Sequence, residues 1–109
     1  MSYFHQLDQR AAKQVMNGMS IRTFWGERVL LSVVDLEPGA EVPLHTHAHE
    51  QAGMVLVGTA EFTIGGETRT LGAGDLYVIP GGVEHGLKVG SGPCRALDIF
   101  SPVREEYKY

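Results

Sequence analysis

Cysteine is nearly absent from this sequence, and long apolar runs and basic clusters are missing altogether. Cys94 is the only cysteine, so no intramolecular disulfide can form, which favours a reducing compartment. No apolar stretch approaches the roughly 20 residues of a membrane-spanning helix, and the first residues lack the pattern of a signal peptide. The nine Lys and Arg residues are scattered and the net charge is −4. We therefore expect a cytoplasmic protein that binds neither nucleic acid nor membrane.

What the sequence has in abundance is glycine. Its 14 glycines divide residues 1–109 into short apolar or alternating segments, which predicts one all-β domain built as an antiparallel sandwich or barrel. Cys94 opens one of these apolar segments, where we expect a small buried residue rather than a reactive thiol. Only residues 9–16 read as a helical turn. The predicted strands are Val29–Leu36, Val55–Gly58, Ala60–Ile64, Thr68–Leu71, Leu76–Ile79, Gly86–Val89 and Cys94–Phe100.

Four of the five histidines fall in two short stretches, Gly39–Gly58 and Gly74–His85. A His-x-His pair on an extended strand places both imidazoles on one face, because side chains repeat every second residue. This pair is His45 and His47. With His85 from a separate strand and a fourth ligand from the first stretch, the pattern predicts a mononuclear site for a divalent metal ion.

The two stretches resemble the two motifs of the cupin superfamily. Glycines, histidines and a proline fall at the motif spacing, whereas Gln51 replaces the usual glutamate and Val89 replaces an asparagine. The resemblance covers roughly residues 29–100 and implies a jelly-roll-like antiparallel β-barrel, usually dimeric. It also implies one divalent metal ion held by His45, His47, Gln51 and His85.

The ligand set leaves several alternatives open. His49 shares strand parity with His45 and His47 and could bind metal, orient a ligand or face solvent. Glu50 could replace Gln51 only if the loop shifts by one residue, and its parity opposes this. Three imidazoles and an amide accept Ni, Zn, Fe, Co or Mn. Because all four donors are neutral, the ion keeps its full +2 charge, which favours anionic ligands and Lewis-acid chemistry.

The C-terminal run Leu97–Glu105 carries a narrower resemblance. An Asp-x-Phe-Ser-Pro-x-Arg-Glu tail, with the His-x-His-x-His-x-Gln stretch, is similar to the KdgF-type small cupins of pectin and alginate breakdown. Those proteins convert 4,5-unsaturated uronate monosaccharides into linear ketonised sugar acids. The resemblance implies catalytic roles for Asp98, Phe100 and Arg104. Arg104 follows Pro102 in a charged tail and could equally be a solvated surface residue.

Chemistry supports the resemblance at one position. Period two places Asp98 and Phe100 on one strand face. Asp98 is either a functional acid or a hydrogen-bonded structural carboxylate near a strand end, and the cost of burying an unpaired acid in an apolar run favours function. The resemblance and this chemistry together favour a metal-dependent ring-opening enzyme that acts on a small anionic sugar acid, and the resemblance implies a homodimer. Two other hypotheses stand beside it. One is an oxygen-using cupin dioxygenase, and the other is a non-catalytic cupin that binds a small molecule.

Overall fold

Two antiparallel β-sheets face each other across a shared core in the computed structural model, which describes residues 2–109. This confirms the all-β, cupin-like fold class. Within these residues the helical segments are two three-residue 3-10 turns, Leu7–Gln9 and Glu105–Tyr107, and no helix has the length or the apolar character to cross a membrane. The strands are β1 Lys13–Met16, β2 Met19–Trp25, β3 Leu30–Leu36, β4 Glu41–His45, β5 Glu50–Val57, β6 Thr59–Ile64, β7 Glu67–Gly72, β8 Leu76–Ile79, β9 His85–Val89 and β10 Cys94–Ser101.

The strand order places the C-terminal strand at the centre of the larger sheet. That sheet runs β1-β2-β3-β10-β5-β8, and the smaller sheet runs β4-β9-β6-β7. Along β10 buried and less buried side chains alternate, as expected for a strand with one face on the core. Asp98 and Phe100 share one face of the strand, as predicted, and this face is the inner one.

The core fills the space between the sheets with aliphatic and aromatic side chains. Ile21 and Val55 are fully buried and pack with Phe62 of the smaller sheet. A second cluster, formed by Leu30, Phe100 and Val103 with Trp25 and Tyr107 against it, closes one end of the barrel. Buried residues therefore also lie outside residues 29–100, at Ile21 and Val103.

The predicted helical turn at residues 9–16 is wrong for most of its length. Only Leu7–Gln9 forms a helical turn, and Lys13–Met16 is instead a strand paired with β2 in a hairpin. The two residues between the strands are Asn17 and Gly18, and Gly18 has φ +79°. An Asn-Gly pair between two strands is a strong hairpin signal, and of the two turn residues here Gly18 is the one with a positive φ.

Three further strands differ from the predictions. Strand β5 begins at Glu50 rather than Val55, and β2 was not predicted. The strand expected to carry His45 and His47 is β4, which ends at His45. Pro43 lies inside β4, which argues against a central strand. The proline is tolerated because β4 is the edge strand of the smaller sheet, with an irregular register between Val42 and His45.

Candidate metal centre

Three histidines meet at the end of the barrel where the two sheets come together. His45 is the last residue of β4, and His85 is the first residue of β9, its register partner. His47 is not on a strand, which corrects the expectation of a His-x-His pair along one strand; it lies in the segment between β4 and β5. The nitrogen atoms of these three rings that could bind a metal lie within 4.8 Å of one another. The cluster can therefore bind one metal ion.

A turn between β8 and β9 joins the two histidine-bearing stretches. The backbone N–H of Gly82 donates a hydrogen bond to the His47 carbonyl oxygen at 2.9 Å. Gly82 has φ +81°, a conformation that glycine adopts without steric cost. The Val83 N–H closes the same turn onto the Pro80 carbonyl at 3.2 Å. This turn fixes where β9 begins, and thereby where His85 enters the cluster.

Each of the three rings is oriented by a backbone carbonyl. The Nδ1 atoms of His45, His47 and His85 lie 2.9 Å from the carbonyl oxygens of Pro43, His49 and Val83 respectively. Because a carbonyl oxygen only accepts, each Nδ1 must carry the proton, which leaves the lone pair on Nε2. Metal-binding histidines are typically held in this way by a partner on the other ring nitrogen.

Gln51 adds an oxygen to the cluster. Its side chain is buried at 8% exposure, and its Oε1 lies 3.0 Å from His47 Nε2. Glu50 is exposed, as parity predicted. His49 is not part of the three-histidine cluster. Its backbone carbonyl orients His47, and its ring packs beside the His47 ring with centroids 5.7 Å apart.

The donor set fits a divalent cation. His47 Nε2 carries a lone pair and faces a carbonyl oxygen, so two acceptors stand 3.0 Å apart. His85 Nε2 is buried and has no hydrogen-bond partner among the residues that the structure describes. A cation held between these atoms satisfies them together, and imidazole with amide oxygen suits Ni, Zn, Fe, Co and Mn. These donors therefore support a divalent ion and suit each of the five metals.

Burial keeps two of the imidazoles neutral. Desolvation lowers the pKa of His47, and the nearby Arg104 charge lowers it further. Burial is also the main cause that lowers the pKa of His85, against an opposing hydrogen bond to Val83. A lowered pKa favours the unprotonated ring, which is the form that binds metal.

Asp98 lies on the cavity wall next to this cluster. Its side chain is 9% exposed, and burial raises the pKa of its carboxyl group. Hydrogen bonds from Tyr77 and Gln51 oppose that rise in pKa. The Tyr77 hydroxyl donates to Asp98 Oδ1 at 2.6 Å. Tyr77 was not among the predicted site residues, and its only signal in the sequence was a polar aromatic residue inside a short apolar strand.

Phe100 and Arg104 lie at the same end of the barrel. The Phe100 ring stands edge-on to His47, with centroids 5.7 Å apart, and to Tyr107, with centroids 5.6 Å apart. The Arg104 guanidinium lies over the Phe100 and Tyr107 rings, 5.2 and 4.1 Å from their centroids. Its side chain is only 16% exposed, and its Nε donates to Glu106 at 3.1 Å. Arg104 is therefore not a solvated surface residue.

One cavity of about 370 Å³ lies inside the barrel beside the histidine cluster. Its walls include His45, His85, Gln51 and Asp98 together with Arg104. The rest of the lining is mostly aliphatic and aromatic, contributed by both sheets and by β1. Cys94 is buried in the core as predicted, and burial raises the pKa of its thiol, which argues against a reactive thiolate.

Gly53 is required for Tyr77 to reach Asp98. It is the register partner of both residues on the neighbouring strands, and a Cβ placed there would lie 2.3 Å from the Tyr77 ring. We expect Gly53→Ala to lower the free energy of unfolding by about 1–3 kcal/mol through overpacking. Gly90→Ala, where a Cβ meets nothing within 4 Å, is the matched control. Equal urea midpoints for the two variants would contradict this prediction.

Comparisons with known proteins place these features in a family. The family model of the cupin domain matches residues 32–100. An uncharacterised Streptomyces coelicolor protein, SCO3923, is 30% identical over 98 residues, which cover 89% of this chain and 93% of that protein. KdgF from Halomonas sp. has a TM-score of 0.92 at 26% identity, covering 99% of this chain and 100% of that one. An RmlC-like cupin from Shewanella frigidimarina also has a TM-score of 0.92, at 25% identity, covering 99% and 97%. By its matched residues, its two facing sheets and its histidine cluster, the chain belongs to the cupin family.

Proposed function

We propose that this protein opens the ring of 4,5-unsaturated uronate monosaccharides and releases the linear ketonised sugar acid. The observation that carries the proposal is the buried Asp98 carboxylate on the wall of the cavity that is also lined by His45 and His85 of the histidine cluster. Arg104 lies on the wall of the same cavity and provides a cation for a sugar-acid carboxylate. The likeness to Halomonas KdgF over the whole length of both chains supports this assignment.

His45, His47, Gln51 and His85 would hold the metal ion. Their nitrogen and oxygen donors converge and carry no charge, so a bound ion keeps its full +2. When bound, a divalent ion supplies positive charge that stabilises the substrate carboxylate and the negative charge that develops on the ring oxygen. The proposed ligands thus suit an anionic substrate.

Asp98 would move the proton in this reaction. It takes the proton of the anomeric hydroxyl, the C1 carbonyl forms, and the bond from C1 to the ring oxygen breaks. The ring oxygen becomes the oxygen of an enolate, and return of the proton to C4 gives the 5-keto product. The net change is an isomerisation, so no other reactant is consumed. A positioned carboxyl group typically contributes about 10²–10⁴-fold to such steps.

Arg104 and the aromatic residues would bind and enclose the substrate. The planar guanidinium suits a carboxylate because it can donate two parallel hydrogen bonds. Its Nε is engaged by Glu106, and the Phe100 and Tyr107 rings fix its plane. Phe100 is 2% exposed and would keep water away from the reacting atoms.

The test is a direct substrate assay. The purified protein, with its metal content measured, is mixed with freshly lyase-generated unsaturated galacturonate or with the alginate-derived counterpart. Loss of the conjugated-alkene absorbance is compared with the spontaneous rate. We expect faster decay that stops when a chelator removes the metal and returns when the metal is restored. Decay at the spontaneous rate with a filled metal site would overturn the assignment.

A second candidate follows from the apolar part of the cavity. This part is lined by Met16, Met19, Val34 and Leu36. Leu36 lies six residues along β3 from Leu30, which packs against Phe100 at the metal end of the barrel. At ~3.3 Å per residue, the apolar part therefore extends to about 20 Å from that end. This lining favours a ligand with an apolar body and a polar head, held without chemistry. A ligand of this kind that raises the melting temperature and is recovered unchanged would support a binding protein over an enzyme.

We propose further that the protein is a homodimer. Eight aliphatic side chains form two rows on the outer face of the larger sheet, across strands β3, β10, β5 and β8. The rows are Val33, Leu97, Met54 and Leu76, and Leu31, Ile99, Ala52 and Val78. Leu76 and Val78 are 69% and 64% exposed. A contiguous apolar patch of this kind is typical of an interaction site.

A second copy of the chain is the occupant that fits this face. Arg22 and Arg95 share Asp35 near one end of the rows, which leaves one positive charge, and Glu50 lies at the other end. A two-fold axis across the strands sets these opposite charges against each other. Light scattering should give twice 11.9 kDa. Val78→Glu should halve that mass, and Leu44→Glu on the smaller sheet should not. A wild-type mass of one chain would exclude the dimer.

A further inference from the structure

Asp98 stands between a hydroxyl group and the amide of a proposed metal ligand. The Tyr77 hydroxyl donates to Asp98 Oδ1 at 2.6 Å. On the neighbouring strand, Gln51 is the register partner of Phe100 and Gly53 is that of Asp98, so Gln51 and Asp98 are diagonal neighbours on the inner face. Both side chains are buried and line the same cavity, so the Gln51 amide lies within reach of the Asp98 carboxylate. The carboxylate therefore has the Tyr77 hydroxyl on one oxygen and the Gln51 amide as its neighbour.

An amide ligand has an orientation problem that a carboxylate ligand does not have. The side chain of Gln51 ends in one oxygen and one NH₂ group, and only the oxygen can bind a metal. With its NH₂ turned toward the histidines, Gln51 could donate to the His47 Nε2 lone pair and block the site. In that orientation its oxygen would face the Asp98 carboxylate, and two acceptors would meet. Contact with Asp98 thus favours the orientation in which the Gln51 oxygen faces the imidazoles.

We propose that Asp98 is a positioning residue of the metal centre, which accepts the Gln51 side-chain N–H and turns the Gln51 oxygen toward the three imidazoles. The inference rests on the proposed metal ligands and on no particular substrate. It gives Asp98 a task in the substrate-free protein, in addition to proton transfer. It also explains the observed contact of Gln51 Oε1 with His47 Nε2 at 3.0 Å, where both atoms are acceptors.

The residues around Asp98 keep its carboxylate in place for this task. Tyr77 is 7% exposed, so its hydroxyl group has little access to solvent and holds one carboxylate oxygen. The absence of a side chain at Gly53 makes room for the Tyr77 ring. The other carboxylate oxygen is then available to Gln51. Gly53 and Tyr77 thus hold Asp98 in place, and Gln51, its diagonal neighbour, lies between Asp98 and the metal centre.

The experiment measures metal binding without any substrate. Co²⁺ is added to the metal-free protein, its affinity is measured by chelator competition, and its visible absorption reports the ligand set. In Asp98→Asn the side chain at position 98 can donate as well as accept, so it no longer selects one orientation of the Gln51 amide. We expect a 10–100-fold loss of Co²⁺ affinity, the usual effect of losing a partner that orients a ligand, and a changed spectrum. Asp35→Asn, an Asp on the outer face of the same sheet, should leave both unchanged.

The same substitution made in a Gln51→Glu variant distinguishes the orienting effect of Asp98 on Gln51 from an effect of its negative charge. A glutamate side chain has two equivalent oxygens and needs no partner to orient it. Asp98→Asn should therefore reduce Co²⁺ affinity by less than about threefold when Gln51→Glu is also present. If Asp98 acted only through its negative charge, the loss would be the same in both backgrounds, and the inference would be overturned. Unchanged affinity and spectrum in the single variant would also overturn it. Neither result bears on the sugar-acid assay, which tests the proposed reaction separately.

Discussion

Replacing Asp98 with Asn is expected to lower the turnover of unsaturated uronates by about 10²–10⁴-fold, the typical contribution of a positioned acid–base group. The amide has nearly the same shape as the carboxylate but cannot take the proton from the anomeric hydroxyl. The rate is measured from the loss of alkene absorbance, with the spontaneous decay subtracted. Since Asp98 is also proposed to orient Gln51, the metal is supplied far above its dissociation constant, and bound metal is measured in the same sample.

The control for this variant is Asp35→Asn. Asp35 lies on the outer face of the sheet, where it pairs with Arg95 at 2.6 Å, and exposed ion pairs contribute little to stability. Its loss should leave turnover within about twofold of the wild type. If Asp98→Asn with a full metal site keeps a tenth or more of the wild-type rate, Asp98 is not the group that moves the proton. The reaction would then need another acid–base group.

The larger features of the fold could be read from the sequence because spacing alone carries them. Glycines separated short apolar segments, and the structure has strands at each predicted position, with Leu76–Ile79 matched residue for residue. The parity of β10 predicted that Asp98 and Phe100 share one face, and the structure shows that this is the inner face. Alternation is reliable here because β10 lies between two other strands, which makes a shift in register costly.

The features that were missed depend on turns and on the neighbours of a strand. The Asn17-Gly18 hairpin was present in the sequence as a turn signal, but the few polar residues before it were read as helical. Strand β2 was not predicted, and a strand was expected around His45 without its start at Glu41. Pro43 lies inside that strand, β4, whose position at the sheet edge makes the proline acceptable. His47 was expected on a strand, yet a loop holds it through Gly82. Loop geometry of this kind has no period to detect.

Tyr77 shows a different limit. Its strand was predicted correctly, but its role depends on the hydrogen bond to Asp98 at 2.6 Å and on the missing side chain of Gly53. Those residues are 21 and 24 positions away in the chain and meet Tyr77 only through the strand order β10-β5-β8. Chain order alone does not reveal which strand lies between two others. The residues around a site are therefore harder to predict than its histidines.

Replacing His47 with Ala is expected to remove the stabilisation that metal gives to the fold. Metal that binds only the folded protein, at 100 times its dissociation constant, adds about 2.7 kcal/mol. For a domain of this size that corresponds to a rise in melting temperature of roughly 10 °C. His47→Ala removes one of the three converging imidazoles and leaves its Gln51 contact empty, so adding Zn²⁺ or Ni²⁺ should no longer raise the melting temperature. The measurement is a thermal melt of chelator-treated protein with and without added metal.

His49→Ala is the matched control, because His49 is also half-buried and its ring lies beside His47. Its contribution to the site is the backbone carbonyl that accepts from His47 Nδ1 at 2.9 Å, and an alanine keeps that carbonyl. The metal-induced rise should therefore stay within about 2 °C of the wild-type rise. If His49→Ala abolishes the metal-induced rise in melting temperature as fully as His47→Ala does, the ring of His49 binds the ion and is one of its ligands. If neither variant changes the rise, the metal binds elsewhere, and the three-histidine cluster does not hold it.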